Sequence, residues 1–211
     1  MTDNTGDYLE TEQKYEAGAD FALPDLSRLA GRTRSIGPRR YFLSATYFDT
    51  EELDLIRNRI TLRRRVGGAD EGWHLKLPVR KDTRQEVRAP LGDGGSGSIE
   101  PVPARLAAQV EDITAGRPLR PIAILDTERT VVTLTGQAGE PLAEVADDRV
   151  TATRLDQPGS EPVTWREIEV EALTQGPGAP GLLEAAGQAL RQAGARRSSS
   201  ASKLGRLLGR G

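Results

Sequence analysis

Glu167-Ile168-Glu169-Val170-Glu171 alternates carboxylates with aliphatic side chains. In a strand, residues i and i+2 face the same way, roughly 6.5–7 Å apart. The stretch therefore aims three carboxylates at one surface and two aliphatic groups at the other. Near the opposite end of the 211-residue chain, Glu10-Thr11-Glu12-Gln13-Lys14 repeats the arrangement with two carboxylates and an ammonium. If the first and last strands lie side by side, the two columns converge on an oxygen-rich site suited to hard divalent cations. A closed sheet brings chain ends together in this way and leaves no exposed edge.

The sequence between the columns predicts such a sheet. Strand-like stretches recur at residues 9–17, 40–48, 60–66, 73–77, 84–91, 122–128 and 129–135 (or one long bent strand), 142–146, 149–154 and 163–173. That is about eight strands joined mostly by short turns, which reads as an antiparallel barrel. Short helices are predicted at 24–30, with Pro24 in its first turn, and at 51–57, capped by Asp49-Thr50. Longer amphipathic ones are predicted at 102–114, with Leu106, Val110 and Ile113 on one stripe, and at 182–193, with a short last helix at 203–208. Residues 177–181 and 198–202 read as joints, Ser198-Ser199-Ser200 among them. On several strands the apolar and ionised residues take opposite faces. Leu62 opposes Arg63 and Arg65; Trp73, Leu75 and Leu77 oppose His74 and Lys76; Val87 and Ala89 oppose Glu86 and Arg88. With helices covering the outside, the charged faces become the lumen. Arg63, Arg65, Lys76, Arg88 and Arg129 would repel one another there unless the lumen held a polyanion. A chain of phosphates is its natural occupant, bound by arginine forks and lysine point charges.

Composition narrows the function classes. The chain has no cysteine and one histidine, His74, which excludes thiolate sites, cysteine nucleophiles and multi-histidine zinc centres. No apolar run approaches the roughly 20 residues of a membrane helix, and the polar, acidic start shows no signal peptide, so a cytoplasmic protein is expected. The net charge of −2 hides a segregation. Residues 57–88 carry ten Lys/Arg against four Asp/Glu, and residues 140–171 carry nine acids against three arginines. Nucleic acid is an unpromising partner for an acidic chain whose basic block offers only Trp73 for stacking. Gly92-Asp93-Gly94-Gly95-Ser96-Gly97 matches G-x-G-x-x-G literally, but Pro101 and Pro103 delay the following helix and no βαβ unit surrounds it. Residues 92–101 read instead as a flexible loop. Trp73 and Trp165 read as packing residues on the face away from the lumen.

Glu10-x-Glu12-x-Lys14 is followed, in order, by seven further segments: Tyr47-Phe48-Asp49-Thr50, Leu62-Arg63-Arg64-Arg65, Trp73 through Pro78, Thr127-Glu128-Arg129, Glu144 through Asp148, Glu167 through Glu171 and Ser202-Lys203-Leu204. The first resembles the ExExK signature of the CYTH superfamily, the triphosphate tunnel metalloenzymes, and the other seven resemble that family's segments in the expected order. The likeness spans nearly the whole chain and is strongest to actinobacterial CYTH domains, which often precede a helical CHAD domain. It implies a single α+β domain over 1–211: a closed eight-stranded antiparallel β-barrel, the triphosphate tunnel, with flanking helices and with the helices of 176–211 packed on it. It implies that Glu10, Glu12, Glu169 and Glu171 are catalytic and hold Mg²⁺ or Mn²⁺, with Glu144 and Asp148 in support and Glu167 a weaker ligand. Lys14, Arg63, Arg65, Lys76, Arg88, Arg129 and Lys203 would bind the triphosphate. His74 departs from the small hydroxyl residue of many relatives and is expected to be a hydrogen-bonding partner, not a base. The implied reaction is hydrolysis of inorganic triphosphate, or of a triphosphate-bearing organic substrate, by metal-activated water. Thiamine triphosphatase, class IV-type adenylate cyclase and a non-catalytic polyphosphate-binding module are the alternatives. A triphosphate or polyphosphate ligand is the expected partner, with a CHAD domain in a longer parent chain.

Overall fold

The computed structural model describes residues 7–27, 29, 33–92, 101–174 and 176–209. In chain order the elements are β1 (Asp7–Ala17), β2 (Arg34–Asp49), α1 (Asp54–Arg57), β3 (Thr61–Val66), β4 (Gly72–Arg80), β5 (Thr83–Ala89), α2 (Ala104–Ala108), α3 (Glu111–Thr114), β6 (Arg120–Thr135), β7 (Pro141–Arg154), β8 (Val163–Ala172), α4 (Ala179–Gln192), β9 (Arg196–Arg197) and α5 (Lys203–Leu207).

Strands pair in the order β5-β4-β3-β2-β6-β7-β8-β1, and β1 returns to β5, closing an eight-stranded barrel with every pairing antiparallel. Closure rests on a stagger in β1. Its residues 7–11 pair with β5, residues 12–17 pair with β8, and Tyr15 and Glu16 also meet the two-residue β9. The register then sets Glu12 opposite Glu171 and Lys14 opposite Glu169, so the two carboxylate columns do converge.

Alternation decides what each face meets. Outside β2–β5, Phe48, Leu62, Trp73, Leu75 and Val87 pack under α2 and α3 through Leu106 and Val110. The Phe48 and Trp73 rings lie 5.0 Å apart at 47°, a tilted pair of the kind that adds to area burial. Outside β1, β7 and β8, Tyr15, Val145, Ile168 and Val170 pack under α4 through Leu183, Ala186 and Leu190. Each such fully buried Leu or Ile contributes roughly 1.5–3 kcal/mol over leaving it exposed. The third cluster fills one end of the lumen, where Leu204 of α5 meets Ala45, Tyr47, Leu125, Val150 and Ala152. The barrel is therefore sealed by its own C-terminal helix at one end and lined with charge beyond the seal.

Several local expectations are corrected. Residues 24–27 form no helix; residues 28 and 30–32 lie outside those described, as do 93–100 of the Gly/Ser loop. The single helix expected over 102–114 is two short ones, because Val110 sits at φ −122°, ψ 8°, and breaks the helical path while its side chain stays buried. Residues 122–135 form the one long strand offered as the alternative, and 142–154, expected as two strands, are also one, because β6 and β7 stay paired along their whole length. The expected helix at 51–57 shrinks to α1. Asp49 still organises it, accepting from the backbone N–H groups of Thr50 (2.7 Å), Leu55 (2.9 Å) and Ile56 (3.0 Å). Trp165 packs as expected but on the other face: it shares the parity of Glu167 and donates its Nε1–H to that carboxylate at 2.6 Å.

Candidate functional site: a charged tunnel

Beyond the seal, side chains from β1, β2, β3, β4, β5, β6, β8 and α5 converge on one cavity. Glu10, Glu12, Lys14, Arg63, Arg65, Lys76, Arg88, Arg129, Glu169, Glu171 and Lys203, all named from sequence, line it. In this conformation their ion pairs leave only about 50 Å³ between them. Asp148 stands behind the lining with no exposed surface, and Glu144 lies opposite Glu171 by register, half-buried and outside the cavity wall.

Lys203 reaches the tunnel because Ser202 caps α5, accepting from the N–H of Gly205 at 2.9 Å. Its ammonium meets Asp148 (2.8 Å), Glu167 (2.8 Å) and Glu169 (2.7 Å). Arg129 forks onto Asp148 (2.8 and 2.7 Å) and reaches Glu169 at 2.7 Å. Lys14 pairs with Glu12 at 2.8 Å and with Glu169. Asp148, Glu167 and Glu169 are close enough to share a cation, and the cation already among them is Lys203. Burial favours neutral Glu169, but Lys14, Lys203 and Arg129 outweigh it and hold the carboxyl well below its usual range. Burial likewise opposes ionisation of Glu12, and Lys14 overcomes it.

The β1–β4 side is less compensated. Glu10 has Lys76 at 2.5 Å, yet its second carboxylate oxygen is buried without a partner. Burial, then Glu10, pushes Glu171 up to about 8, so it keeps its proton at neutral pH. Glu10, Glu12 and Glu171 thus present oxygen donors to the same cavity, and one oxygen, on Glu10, is unpartnered, although among the described residues only Asp148, Glu167 and Glu169 already lie close enough together to share an ion. The donor set of Glu10, Glu12 and Glu171 fits a hard divalent cation such as Mg²⁺ or Mn²⁺.

Facing these carboxylates is a cationic wall. Arg63 donates to the Tyr47 hydroxyl at 3.3 Å, and its Nε, like that of Arg65, is buried without a hydrogen-bond partner. Burial pushes the Arg65 guanidinium down, and the neighbouring Arg63 and Arg129 push it further. Burial also favours neutral Tyr47, but Arg63 reverses this and lowers the phenol. Arg65 is held to Asp70 on the β3–β4 turn. That turn needs glycine: Gly67 has φ +85°, and a Cβ there would stand 2.3 Å from the Phe42 carbonyl oxygen.

His74 is buried behind this wall. Its Nε2 lies 2.8 Å from the Asp70 carbonyl oxygen and its Nδ1 2.9 Å from Glu86, so the single proton of a neutral ring serves one of the two contacts. Burial holds the imidazole down, to about 3, against the pull of Glu86. This is a hydrogen-bonding, positioning role.

Sequence reading set Glu86 on the lumen face without giving it a role, and it missed Arg84, Tyr47, Thr61, Asp70 and Ser202 as wall residues. Glu86 and Arg84 had a signal, since they share parity with Arg88, and Tyr47 sits in a recognised motif. Asp70, on a turn, had none. Among the described residues a separate groove of about 570 Å³, near Phe42 and Trp165, shares no residue with the tunnel. No described helix is long and apolar enough to cross a membrane.

The CYTH domain model matches residues 9–208. Uncharacterized proteins from two strains of Mycobacterium tuberculosis, CDC 1551 and H37Rv, are each 40% identical over 96% of this chain. The chain spans only 40% of the length of those relatives. Among solved structures, a Bacillus halodurans protein described as a candidate adenylate cyclase superposes with a TM-score of 0.63 at 17% identity, covering 95% of this chain and 98% of its own. The PH1819 protein of Pyrococcus horikoshii superposes with a TM-score of 0.56 at 16% identity and the same coverage. At these identities the two structures establish the fold.

Proposed function

The chain belongs to the CYTH domain family, and from that premise we propose that it is a metal-dependent phosphohydrolase acting on inorganic triphosphate or a triphosphate-bearing organic substrate. The observation that carries this reading is the pair of unmet needs inside one tunnel. Buried guanidinium Nε atoms of Arg63 and Arg65 lack partners on one wall, and a buried oxygen of Glu10 lacks one on the other. A triphosphate carrying a divalent cation satisfies both at once: its phosphate oxygens accept from the arginines, and its cation meets the carboxylates.

In this reading Glu10, Glu12 and Glu171 hold the Mg²⁺ or Mn²⁺, with Glu169 at their border with the cations. Bound there, the ion would neutralise phosphate charge and lower the pKa of a water. The remaining chemistry belongs to the chain. Arg63, Arg65 and Arg88 bind and orient the phosphates from β3 and β5. Lys14, Arg129 and Lys203, tied to Glu169, offset charge that develops on the leaving phosphate. Lys76 keeps Glu10 aligned. Asp148 has no exposed surface and pairs with Arg129 and Lys203, so in this reading it supports the metal site from behind the lining by positioning those cations. Phosphoryl transfer to water depends mostly on such positioning and charge stabilisation. A CHAD domain in a longer parent chain is the partner this reading names, and the longer relatives leave room for one.

Phosphate release from tripolyphosphate, ATP and thiamine triphosphate, each with Mg²⁺ or Mn²⁺, tests the reading. Tripolyphosphate should be hydrolysed, and Glu12→Gln and Glu169→Gln should abolish turnover while the circular dichroism spectrum is unchanged. Turnover surviving in both variants would overturn the assignment of the carboxylates. Binding of tripolyphosphate without turnover under either metal would favour a polyphosphate-binding module instead.

A further inference from the structure

The β4–β5 hairpin and the residues that follow β9 enclose a second cleft, of about 600 Å³. Glu12, Lys14 and Arg84 line both this cleft and the tunnel, so the two spaces meet at those side chains. Its far walls are anchored to the same stretch of β1. The N–H of Glu12 donates to the Asp82 carbonyl at 3.1 Å, and the N–H of Ser198 donates to the Lys14 carbonyl at 2.9 Å. Arg84 also donates to the Ala201 carbonyl. The cleft is therefore a built extension of the tunnel mouth.

Its charge is one-sided. Six cations line it against two carboxylates, and both carboxylates are already answered: Asp82 by Arg197 at 2.7 Å, Glu12 by Lys14 at 2.8 Å. Arg59, Arg80 and Lys81 are exposed, line the cleft and pair with no carboxylate among the described residues. No aromatic side chain is among its lining residues, so it offers a nucleobase or other flat ring nothing to stack on. An excess of cations continuous with a phosphate-binding tunnel suits more phosphates, not an organic group.

We propose that this cleft is a second anion subsite, which takes the phosphates of a linear polyphosphate that extend beyond the three held in the tunnel. The proposal rests on the tunnel being a triphosphate site, and it names the preferred substrate class as chains longer than triphosphate. Arg59, Arg80 and Lys81 would contact the distal phosphates, while Lys14 and Arg84 bridge the two spaces. A cationic mouth could instead merely steer any anion inward by its field. The two differ in chain-length dependence, because a subsite acts only on substrates long enough to reach it.

The test is a comparison of tripolyphosphate with a longer linear polyphosphate on the wild type and on the double variant Arg59→Gln/Lys81→Gln. Neither residue is in the tunnel wall, and both are exposed. The KM for the longer chain should rise roughly tenfold, equivalent to about 1.4 kcal/mol, while that for tripolyphosphate stays unchanged. Calorimetric binding of both ligands reads the same difference without turnover. If the wild type bound the longer chain more tightly but hydrolysed neither, the hydrolase reading would fail and the subsite would stand. Equal losses for the two substrates would mean steering alone, and equal affinities in wild type and variant would mean no contact; either overturns the subsite.

Discussion

Lys203 Nζ lies 2.8 Å from Asp148 Oδ2, on a carboxylate with no solvent exposure, and the next residue along, Leu204, seals the barrel end. One helix thus closes the tunnel and delivers a cation to it. Burial favours neutral Asp148, but Arg129 and Lys203 outweigh it and hold the carboxyl below its ordinary value. A depressed folded pKa gives stability that is present above the unfolded value, about 3.9 for Asp, and is lost as pH falls through the folded one. At pH 7, Asp148→Asn should therefore destabilise the fold by about 3 kcal/mol, the low end for breaking a buried pair, because both cations keep other carboxylates. The gap should narrow as pH falls below 4. Thermal unfolding from pH 2.5 to 7 measures it, and a gap that stays constant contradicts the linkage.

Glu171 should show the opposite slope. Burial and Glu10 raise it to about 8, so its contribution is fully present below the unfolded value, about 4.3 for Glu. It is lost as pH rises through 8. With divalent cations chelated, the wild type should lose stability between pH 5 and 9, and Glu171→Gln should flatten that loss. Parallel curves for the two proteins would mean that Glu171 is ionised throughout.

The fold was legible because the barrel writes itself into parity. Glu10/Glu12/Lys14, Arg63/Arg65 and Glu167/Glu169/Glu171 each specify a face, and faces survive errors in strand boundaries. Trp165 shows the limit: its parity with Glu167 assigned it inward, but its bulk suggested an outer core, and only the packing of Leu204 shows that the lumen has an apolar end. The break at Val110 was invisible because both halves keep their apolar stripe. What no pattern could give is which carboxylate meets which cation. Glu169 and Glu171 look identical in sequence, yet three cations surround one and burial with Glu10 protonates the other.

Arg63 and Arg129 should respond differently to the same truncation. Among the described residues Arg63 donates to the Tyr47 hydroxyl and forms no ion pair, so Arg63→Met orphans no carboxylate. Its thermal stability should be close to that of the wild type, while tripolyphosphate binding weakens roughly 10- to 150-fold, the worth of one or two charged hydrogen bonds. Arg129→Met leaves the fully buried Asp148 with Lys203 as its remaining cation and should lower stability as well as binding. Calorimetry of tripolyphosphate binding alongside thermal melts separates the two. Equal melting losses would show that Arg63 is structural.

Gly187, within α4, is held to glycine by Tyr15. A Cβ at Gly187 would stand 1.9 Å from the Tyr15 hydroxyl and 2.9 Å from the ring carbon that bears it. Tyr15 is fully buried and its hydroxyl is engaged, donating to Gln13 at 2.5 Å and accepting from Arg197 at 3.3 Å, so it has nowhere to retreat. On helix propensity alone Gly→Ala would stabilise by roughly 0.5–1 kcal/mol. Overpacking a full core costs typically 1–3 kcal/mol, so the clash wins and Gly187→Ala should be destabilised by about 1–2 kcal/mol net. Adding Tyr15→Phe removes the closer of the two contacts and should restore part of the loss, a coupling that a double-mutant cycle on chemical denaturation reads directly. Because Tyr15 neighbours Lys14 on β1, the same single variant should also weaken tripolyphosphate binding. Unchanged binding would show that α4 absorbs the shift without passing it to the tunnel.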